Sequence, residues 1–270
     1  MILCDDIQVR YKGAGRSLSL FSSYGKHYLR CEQALDANPD HLDALLCYGF
    51  GLEKLGRYEE AIITFERVIV LCPQSSLAWQ GRGISLGMLG QYEDALTSFN
   101  QSLKLDPRDY RGWQNQGKTL LRLGRYPAAI GSFDQVISLK PDSYKAWYNR
   151  AIALSSQNDH AAALTNIDTA LQIKPTSDYI WTYRGMMLTR LNRYSEASAS
   201  FENSLKINSR NSSTWYGRAC CFALQDKLED ALASVKRAIQ ISPSLYRRVA
   251  STDTTLQPLQ RDQRFRALIH

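Results

Sequence analysis

The chain has 270 residues, 44% of them hydrophobic and 22% charged, which supports a continuous apolar core and excludes a disordered, solvating chain. Its net charge of +7 is shared unequally: residues 246–270 carry five Arg against two Asp, while residues 1–41 balance five basic against five acidic side chains. With no Lys/Arg run beyond Arg247-Arg248 and no nucleic-acid motif, specific nucleic-acid binding is not expected.

From the N-terminus, Gly13, Ala14, Gly15, Arg16, Ser17 and Ser19 form a poor helix, so residues 1–20 are expected to be irregular or disordered. Residues 21–41 read as a capping helix or degenerate first unit. Within them Tyr24, Ala34, Leu35 and Pro39 fall in phase with a pattern that dominates residues 42–245.

That pattern has a period of 34 residues. All five tryptophans, Trp79, Trp113, Trp147, Trp181 and Trp215, keep the step. Ala61, Ala95, Ala129, Ala163, Ala197 and Ala231 keep it too. Phe65, Phe99, Phe133 and Phe201 follow four residues behind those alanines, with Ile167 and Val235 in the remaining places. Pro73, Pro107, Pro141 and Pro175 recur, and Pro243 rejoins after a miss at Ser209. A fixed period of this length marks one supersecondary unit stacked many times. Six units follow without insertion: 42–75, 76–109, 110–143, 144–177, 178–211 and 212–245.

In the unit 76–109, Ala78, Trp79, Gly83, Leu86 and Leu89 are three or four apart, which predicts a helix. Gly90 ends it, and Tyr92, Ala95, Leu96, Phe99, Leu103 and Leu105 predict a second helix that Pro107 stops. Gly83 and Ala95 are expected where the two backbones approach closely. Tyr92 and Trp79 are long enough to bridge neighbouring units. In the unit 144–177, Asn158 replaces the turn glycine and His160 the tyrosine, so this turn is the least typical. In the tail 246–270, Phe265, Leu268 and Ile269 are expected to cover the apolar face of the last unit, as a stack requires.

The pattern W-x2-x-G-x2-L…Y…A-x3-F…P resembles the tetratricopeptide repeat. The W-x-x-R-G and W-Y-N-R-A phrases, and the tail L-Q-P-L-Q-R-D-Q-R-F-R-A-L-I, are similar to bacterial, in particular cyanobacterial, members. The resemblance implies an all-α fold, a right-handed α-solenoid of stacked antiparallel helix pairs forming a superhelix. Arg82, Arg150, Arg184 and Arg218 share one position beside Gly83, Ala151, Gly185 and Ala219, and are read as bridging units rather than contacting a ligand.

No catalytic arrangement outweighs a plainer explanation. Asp159-His160 is a lone pair at an inter-helix turn. The triplets Gly49–Gly51 and Gly81–Gly83 lie inside first helices, whereas a phosphate-binding loop needs a preceding strand. Glu59-Glu60, Glu93-Asp94 and Glu229-Asp230 start second helices, where they complement the helix dipole. Cys4, Cys31, Cys47, Cys72, Cys220 and Cys221 form no C-x-x-C pair and the four histidines are scattered, so neither a metal site nor a cofactor is expected. Read as free thiols, the cysteines imply a reducing compartment. The opening M-I-L-C-D-D lacks the features of a secretory leader, and no apolar stretch is long enough to span a bilayer. The expectation is a cytoplasmic protein that is not an enzyme and does not insert into membranes.

The resemblance further implies that the second, fifth, sixth, ninth, twelfth and thirteenth residues of each unit line a concave groove. In the first unit these are Asp43, Leu46, Cys47, Phe50, Glu53 and Lys54, and in the second Leu77, Gln80, Ile84 and Met88, read together as the apolar part of the groove. The third offers Arg111, Gln114, Asn115, Lys118 and Arg122, and the fourth Lys145, Tyr148, Asn149 and Ile152. The fifth offers Tyr179, Thr182, Tyr183, Met186 and Arg190, and the sixth Tyr216 and Cys220. Asn115 and Asn149 each carry the donor and acceptor needed to grip a peptide amide. Arg111, Lys118, Arg122 and Lys145 would draw an acidic segment or a terminal carboxylate. The tyrosines would give contact area at low entropic cost. The Lys, Asn and Arg set of chaperone-tail receptors is incomplete, because Gln114, Lys118 and Tyr183 stand at its positions. The reading is a protein-interaction scaffold or adaptor that binds a peptide segment of a partner, in complex assembly or regulation. The alternatives are a fragment of a larger enzyme, a protein kinase or glycosyltransferase, and a self-assembling structural protein.

Overall fold

A polar side chain opens most of the first helices. Ser75 accepts from the Ala78 amide at 3.3 Å, Asp109 from that of Arg111 at 3.0 Å and Asn211 from that of Thr214 at 3.1 Å. Each satisfies a backbone donor that the first turn leaves without a partner. The structure, a computed structural model, describes residues 31–269. The expected irregular start at 1–20 and the part of the 21–41 segment before residue 31 lie outside them. Residues 31–37 are helical. The chain then runs in pairs: α1 (Leu42–Lys54) and α2 (Tyr58–Leu71), α3 (Ser76–Met88) and α4 (Tyr92–Leu105), α5 (Tyr110–Arg122) and α6 (Tyr126–Leu139). It continues with α7 (Tyr144–Ser156) and α8 (His160–Ile173), α9 (Asp178–Arg190) and α10 (Tyr194–Ile207), α11 (Ser212–Ala223) and α12 (Leu228–Ile241). No strand occurs among the described residues. The chain divides into two units, residues 1–141 with α1–α6 and residues 142–270 with α7 onward. Within each, a second helix packs on the first helix of the next repeat, and first helices of successive repeats also touch.

Every turn between paired helices passes through the left-handed region. Gly56, Gly90 and Gly124 have φ of 76°, 80° and 71°, and Asn158, Asn192 and Asp226 take the same place at 65°, 58° and 59°. Asn158 is therefore not exceptional, since Asn and Asp are the side chains that tolerate this conformation best after glycine. The turn closes by a backbone bond from the residue after it, as in Arg57 N to Leu52 O at 2.9 Å and Arg193 N to Leu188 O at 2.8 Å.

The glycine at the eighth place of a first helix makes room for a ring. Phe65, Phe99, Phe133 and Phe201 are almost completely buried. A Cβ on Gly49, Gly83, Gly117 or Gly185 would lie 2.6–2.8 Å from the phenylalanine ring of the same repeat. The glycine at 217 faces Phe201 from the following repeat, at 3.0 Å. The expectation that Gly83 marks a direct approach of two backbones is thus corrected, since Gly83 seats Phe99, while the fully buried Ala95 does lie close to the first helix, facing Gly87.

Two polar devices tie repeats together. The indole of Trp79 donates to the Pro73 carbonyl at 3.0 Å, Trp113 to Pro107 at 2.9 Å, Trp181 to Pro175 at 2.8 Å and Trp215 to Ser209 at 2.9 Å. Each tryptophan thereby holds the loop that closes the repeat before it. Arg82 donates backward to Glu66 at 2.9 Å and forward to Ser98 at 2.8 Å, and Arg184 to Asp168 at 2.7 Å and Ser200 at 2.8 Å. Gln116 holds this place in its repeat, donating to Asn100 at 2.7 Å and accepting from Ser132 at 2.7 Å. Arg218 instead lies over the rings of Trp215 and Phe222, 5.5 and 5.1 Å from their centroids.

The tail forms α13 (Pro243–Thr252), a 3₁₀ segment (Thr254–Arg261) and α14 (Gln263–Ile269). Pro243 follows the end of α12 at Ile241, as the other repeat prolines follow theirs, and is also the first residue of α13, a position where its missing N–H costs nothing. Tyr246, Ala250, Leu256, Leu259 and Phe265 are buried in one cluster with Ala219, Ala231, Val235 and Ile239 of α11 and α12, and Leu268 and Ile269 pack against it. Asp253 seals the contact, accepting from the Tyr216 hydroxyl at 2.7 Å and from the Cys220 thiol at 3.7 Å.

The cysteine expectation needs correction. Cys220 and Cys221 are free, but Cys31 and Cys47 are joined as a disulfide, their Cα atoms 6.5 Å apart, and Cys72 is disulfide-bonded as well. Packing of residues 31–37 beside α1 brings the first pair within disulfide reach, a contact that sequence spacing does not reveal. A reducing compartment therefore does not follow from the cysteines.

Two outcomes are expected. Gly185→Ala should destabilise by about 1–3 kcal/mol through overpacking against Phe201. Gly131→Ala, in mid-helix with open space around it, should stabilise by about 0.5–1 kcal/mol; urea midpoints measure both. The second concerns Asp253. Burial opposes its ionisation, but hydrogen bonds from Tyr216, Thr255 and Cys220 outweigh that and hold the carboxyl below its ordinary 3.8. A depressed folded-state pKa gives stability that is present above the unfolded value and lost as pH falls through the folded one. Asp253→Asn should therefore be less stable than wild type near neutral pH, the gap closing in acid. Tyr216→Phe should cost about 1–2 kcal/mol at pH 7 in the same denaturation series.

Candidate binding surface

Charge gathers on α5 in the N-terminal unit. Its first residue, Tyr110, has the Arg111 guanidinium 5.8 Å and the Lys140 ammonium 5.0 Å from its ring centroid. The Arg111 Nε also donates to the Tyr110 hydroxyl at 3.4 Å, and this bond, aided by both positive charges, lowers the Tyr110 pKa. Arg111 and Asn115 are half-buried, while Lys118 and Arg122 are exposed. Gln114 is different. It is only 9% exposed and its Nε2 lacks a hydrogen-bond partner, whereas Gln80, in the same place one repeat earlier, donates to the Asp109 carboxylate at 2.6 Å. In the expected apolar stretch before it, Leu46 and Leu77 are buried, Cys47, Phe50 and Ile84 are half-buried, and Met88 is exposed.

Aromatic rings gather in the C-terminal unit. Tyr148 on α7 meets Tyr179 and Tyr183 on α9 edge-on, with centroids 5.1 and 5.5 Å away. Burial, with a contribution from both neighbours, pushes the Tyr148 hydroxyl up to about 12, and burial raises Tyr183 as well. Tyr144, outside the six groove positions, adjoins Tyr179, and Lys145 lies 6.0 Å from its ring. Asn149 and Met186 are half-buried; Lys145, Tyr179 and Arg190 are exposed. His160 is near enough to Arg190 for that charge to reinforce burial in lowering its pKa. The preceding Asp159 caps α8 by accepting from Ala162 N at 3.0 Å, a structural role.

Two expected groove residues here are closed. The Thr182 hydroxyl lies in a buried hydroxyl cluster with Ser204 at 2.9 Å and Thr214 at 2.6 Å. Tyr216 is 9% exposed, and its hydroxyl is taken by Asp253, so the tail fills the face that the sequence assigned to a ligand. Leu256 stands in phase with Leu52, Leu86, Leu120, Leu154 and Leu188, whereas Asp253 carries no trace of the period, so nothing in the repeat pattern announces it. Gln116, in contrast, stands 34 residues after Arg82, and its bridging place is legible from phase.

No group of His, Cys, Asp and Glu among the described residues could hold a metal ion, and no described helix is long and apolar enough to cross a membrane. No curated protein sequence matches the chain. Among solved structures, MamA from Desulfovibrio magneticus RS-1 is similar at 20% identity, covering 63% of this chain and 96% of that one, with a TM-score of 0.60. PilF of Pseudomonas aeruginosa is similar at 16% identity over 81% and 96% of the two chains, TM-score 0.67. YrrB, described as a tetratricopeptide protein with an unusual peptide-binding site, is similar at 18% identity over 69% and 97%, TM-score 0.55. These likenesses are of fold. The tetratricopeptide repeat profile matches residues 30–76, 81–134, 115–178 and 185–245, well over half of the sequence. On that match, and on helix pairs that repeat every 34 residues, the chain belongs to the tetratricopeptide repeat family.

Proposed function

We propose that the protein is a non-enzymatic interaction scaffold that holds a peptide segment of a partner protein against its first helices. The tyrosine cluster of α7 and α9 carries this reading: rings already braced against one another, partly open, with Lys145 and Arg190 exposed nearby. Rigid aromatic side chains supply contact area with little loss of freedom, and flanking cations favour an acidic segment. Lys118 and Arg122, with the half-buried Arg111, add a second positive surface in the other unit. YrrB, of the same fold, is described as binding peptide, which supports the class of ligand.

A second reading, self-association, rests on the outer face of α2. Ile63 and Val70 are 67% and 80% exposed. In the other repeats their places are held by Thr97, Gly131, Thr165, Ala199 and Ala233, and by Lys104, Ser138, Gln172, Lys206 and Gln240. Only the first repeat puts two large apolar residues there, seven apart on one helix face.

The scaffold reading expects wild type to retain a protein from native lysate that is lost on Arg111→Glu/Lys118→Glu/Lys145→Glu, with unchanged helical circular dichroism; equal retention by both would refute it. The self-association reading expects a molecular mass above 30.6 kDa in concentration-dependent light scattering that returns to it on Ile63→Lys/Val70→Lys.

A further inference from the structure

Asp253 shows how an acidic residue settles on a first helix of this chain. It ends α13, accepts from the Thr255 amide at 2.8 Å, and receives the Tyr216 hydroxyl and the Cys220 thiol. Three residues on, Leu256 is fully buried in the same cluster. The Tyr216 ring is braced by Tyr246, 4.9 Å away. Tyr216 is the fifth residue of its repeat. Gln80, the fifth residue of another, likewise donates to an aspartate, Asp109. In two repeats, then, the fifth side chain is a donor that an aspartate of the chain itself satisfies.

Tyr148 is the fifth residue of the repeat 144–177. Its ring is braced by Tyr179 and Tyr183, as that of Tyr216 is by Tyr246. Its hydroxyl makes no hydrogen bond among the described residues and stays protonated, hence a donor, across the physiological range. Lys145 is exposed on the same helix, one residue past Tyr144, and Arg190 is exposed at the end of α9, close enough to act on Tyr183. The Tyr148 site thus shares with that of Tyr216 a braced tyrosine donor at the fifth place, with Lys145 and Arg190 exposed on the same two helices, while Ile152 holds the place of Cys220 and Asp178 stands beside Tyr179.

We infer that Tyr148 anchors a partner segment that carries an aspartate or glutamate followed three residues later by leucine, the arrangement with which Asp253 and Leu256 fill the face of the last repeat. This rests on the scaffold reading and supplies its anchor and the chemistry of its ligand. The carboxylate accepts from the Tyr148 hydroxyl, a charge-assisted bond stronger than a neutral one. Lys145 and Arg190 draw the acidic segment in, and the leucine packs on the tyrosine rings and Met186.

The test uses the full chain and a capped synthetic peptide, Ser-Thr-Asp-Thr-Thr-Leu-Gln-Pro, the sequence of residues 251–258. A second peptide has asparagine for the aspartate. Binding is measured by titration calorimetry against wild type and Tyr148→Phe, which keeps the ring contacts. The expected result is binding of the aspartyl peptide to wild type, weakened about tenfold by Tyr148→Phe and about tenfold by the asparagine peptide. The two losses should not add, because both remove one direct contact. Equal binding of the two peptides to wild type, fully additive losses, or no binding at all would each overturn the inference. The first and last need only the wild-type protein, so they stand even if the variant folds poorly. A partner lost on the triple charge reversal, together with no Tyr148–aspartate coupling, would leave the scaffold reading standing and remove this one.

Discussion

A phenylalanine ring set against a glycine is the contact on which the rest of the array depends. Phe65, Phe99, Phe133 and Phe201 are each large enough to fill the space between paired helices only because the first helix offers no side chain at the facing position. The same rings reach the next repeat: in the C-terminal unit Phe201 lies between Gly185 and Gly217. One side chain thus fixes both the spacing within a pair and the spacing between pairs, so stability is shared by neighbours and not owned by a single repeat. Where the ring is replaced by Ile167 or Val235, the facing residue is Ala151 or Ala219, all fully buried, and the smaller core residue is matched by a larger one opposite.

Around that apolar seat runs a polar ladder. The seventh residue of a repeat reaches backward to the previous second helix and forward to its own, through Arg82, Gln116 and Arg184. The serines it meets, Ser98, Ser132 and Ser200, also bond a carbonyl one turn earlier in their helices. Buried hydroxyls here cost little because their partners are built in at every step. The ladder also fixes register, since a slip of one residue would part a guanidinium from both its carboxylate and its serine.

Most of what repeats was legible in the sequence, though not that the recurring glycine of the first helix seats a phenylalanine ring. The period located the paired helices, the turn at Gly90 and its relatives, and the bridging role of Arg82 and Arg184, because each is written several times and the copies support one another. Single events were not legible. That Asp253 would close over Tyr216, that Thr182 would turn inward to Ser204 and Thr214, and that Cys31 would meet Cys47 all depend on contacts made once. The groove assignment is the intermediate case. Its positions are periodic, but whether a residue is open depends on its neighbours, so Gln114 and Leu46 are buried while Lys118 and Tyr179 are exposed.

The tail has a bearing on how such a chain can change over generations. Asp253, Leu256 and Phe265 occupy the surface on which a seventh helix pair would have to stack, and their partners on α11 and α12 are specific to that union. Duplication of a repeat at the C-terminal boundary would part the tail from the residues that match it. An array finished in this way lengthens more readily by copying a repeat from its interior, where the Gly–Phe seat and the polar ladder recur.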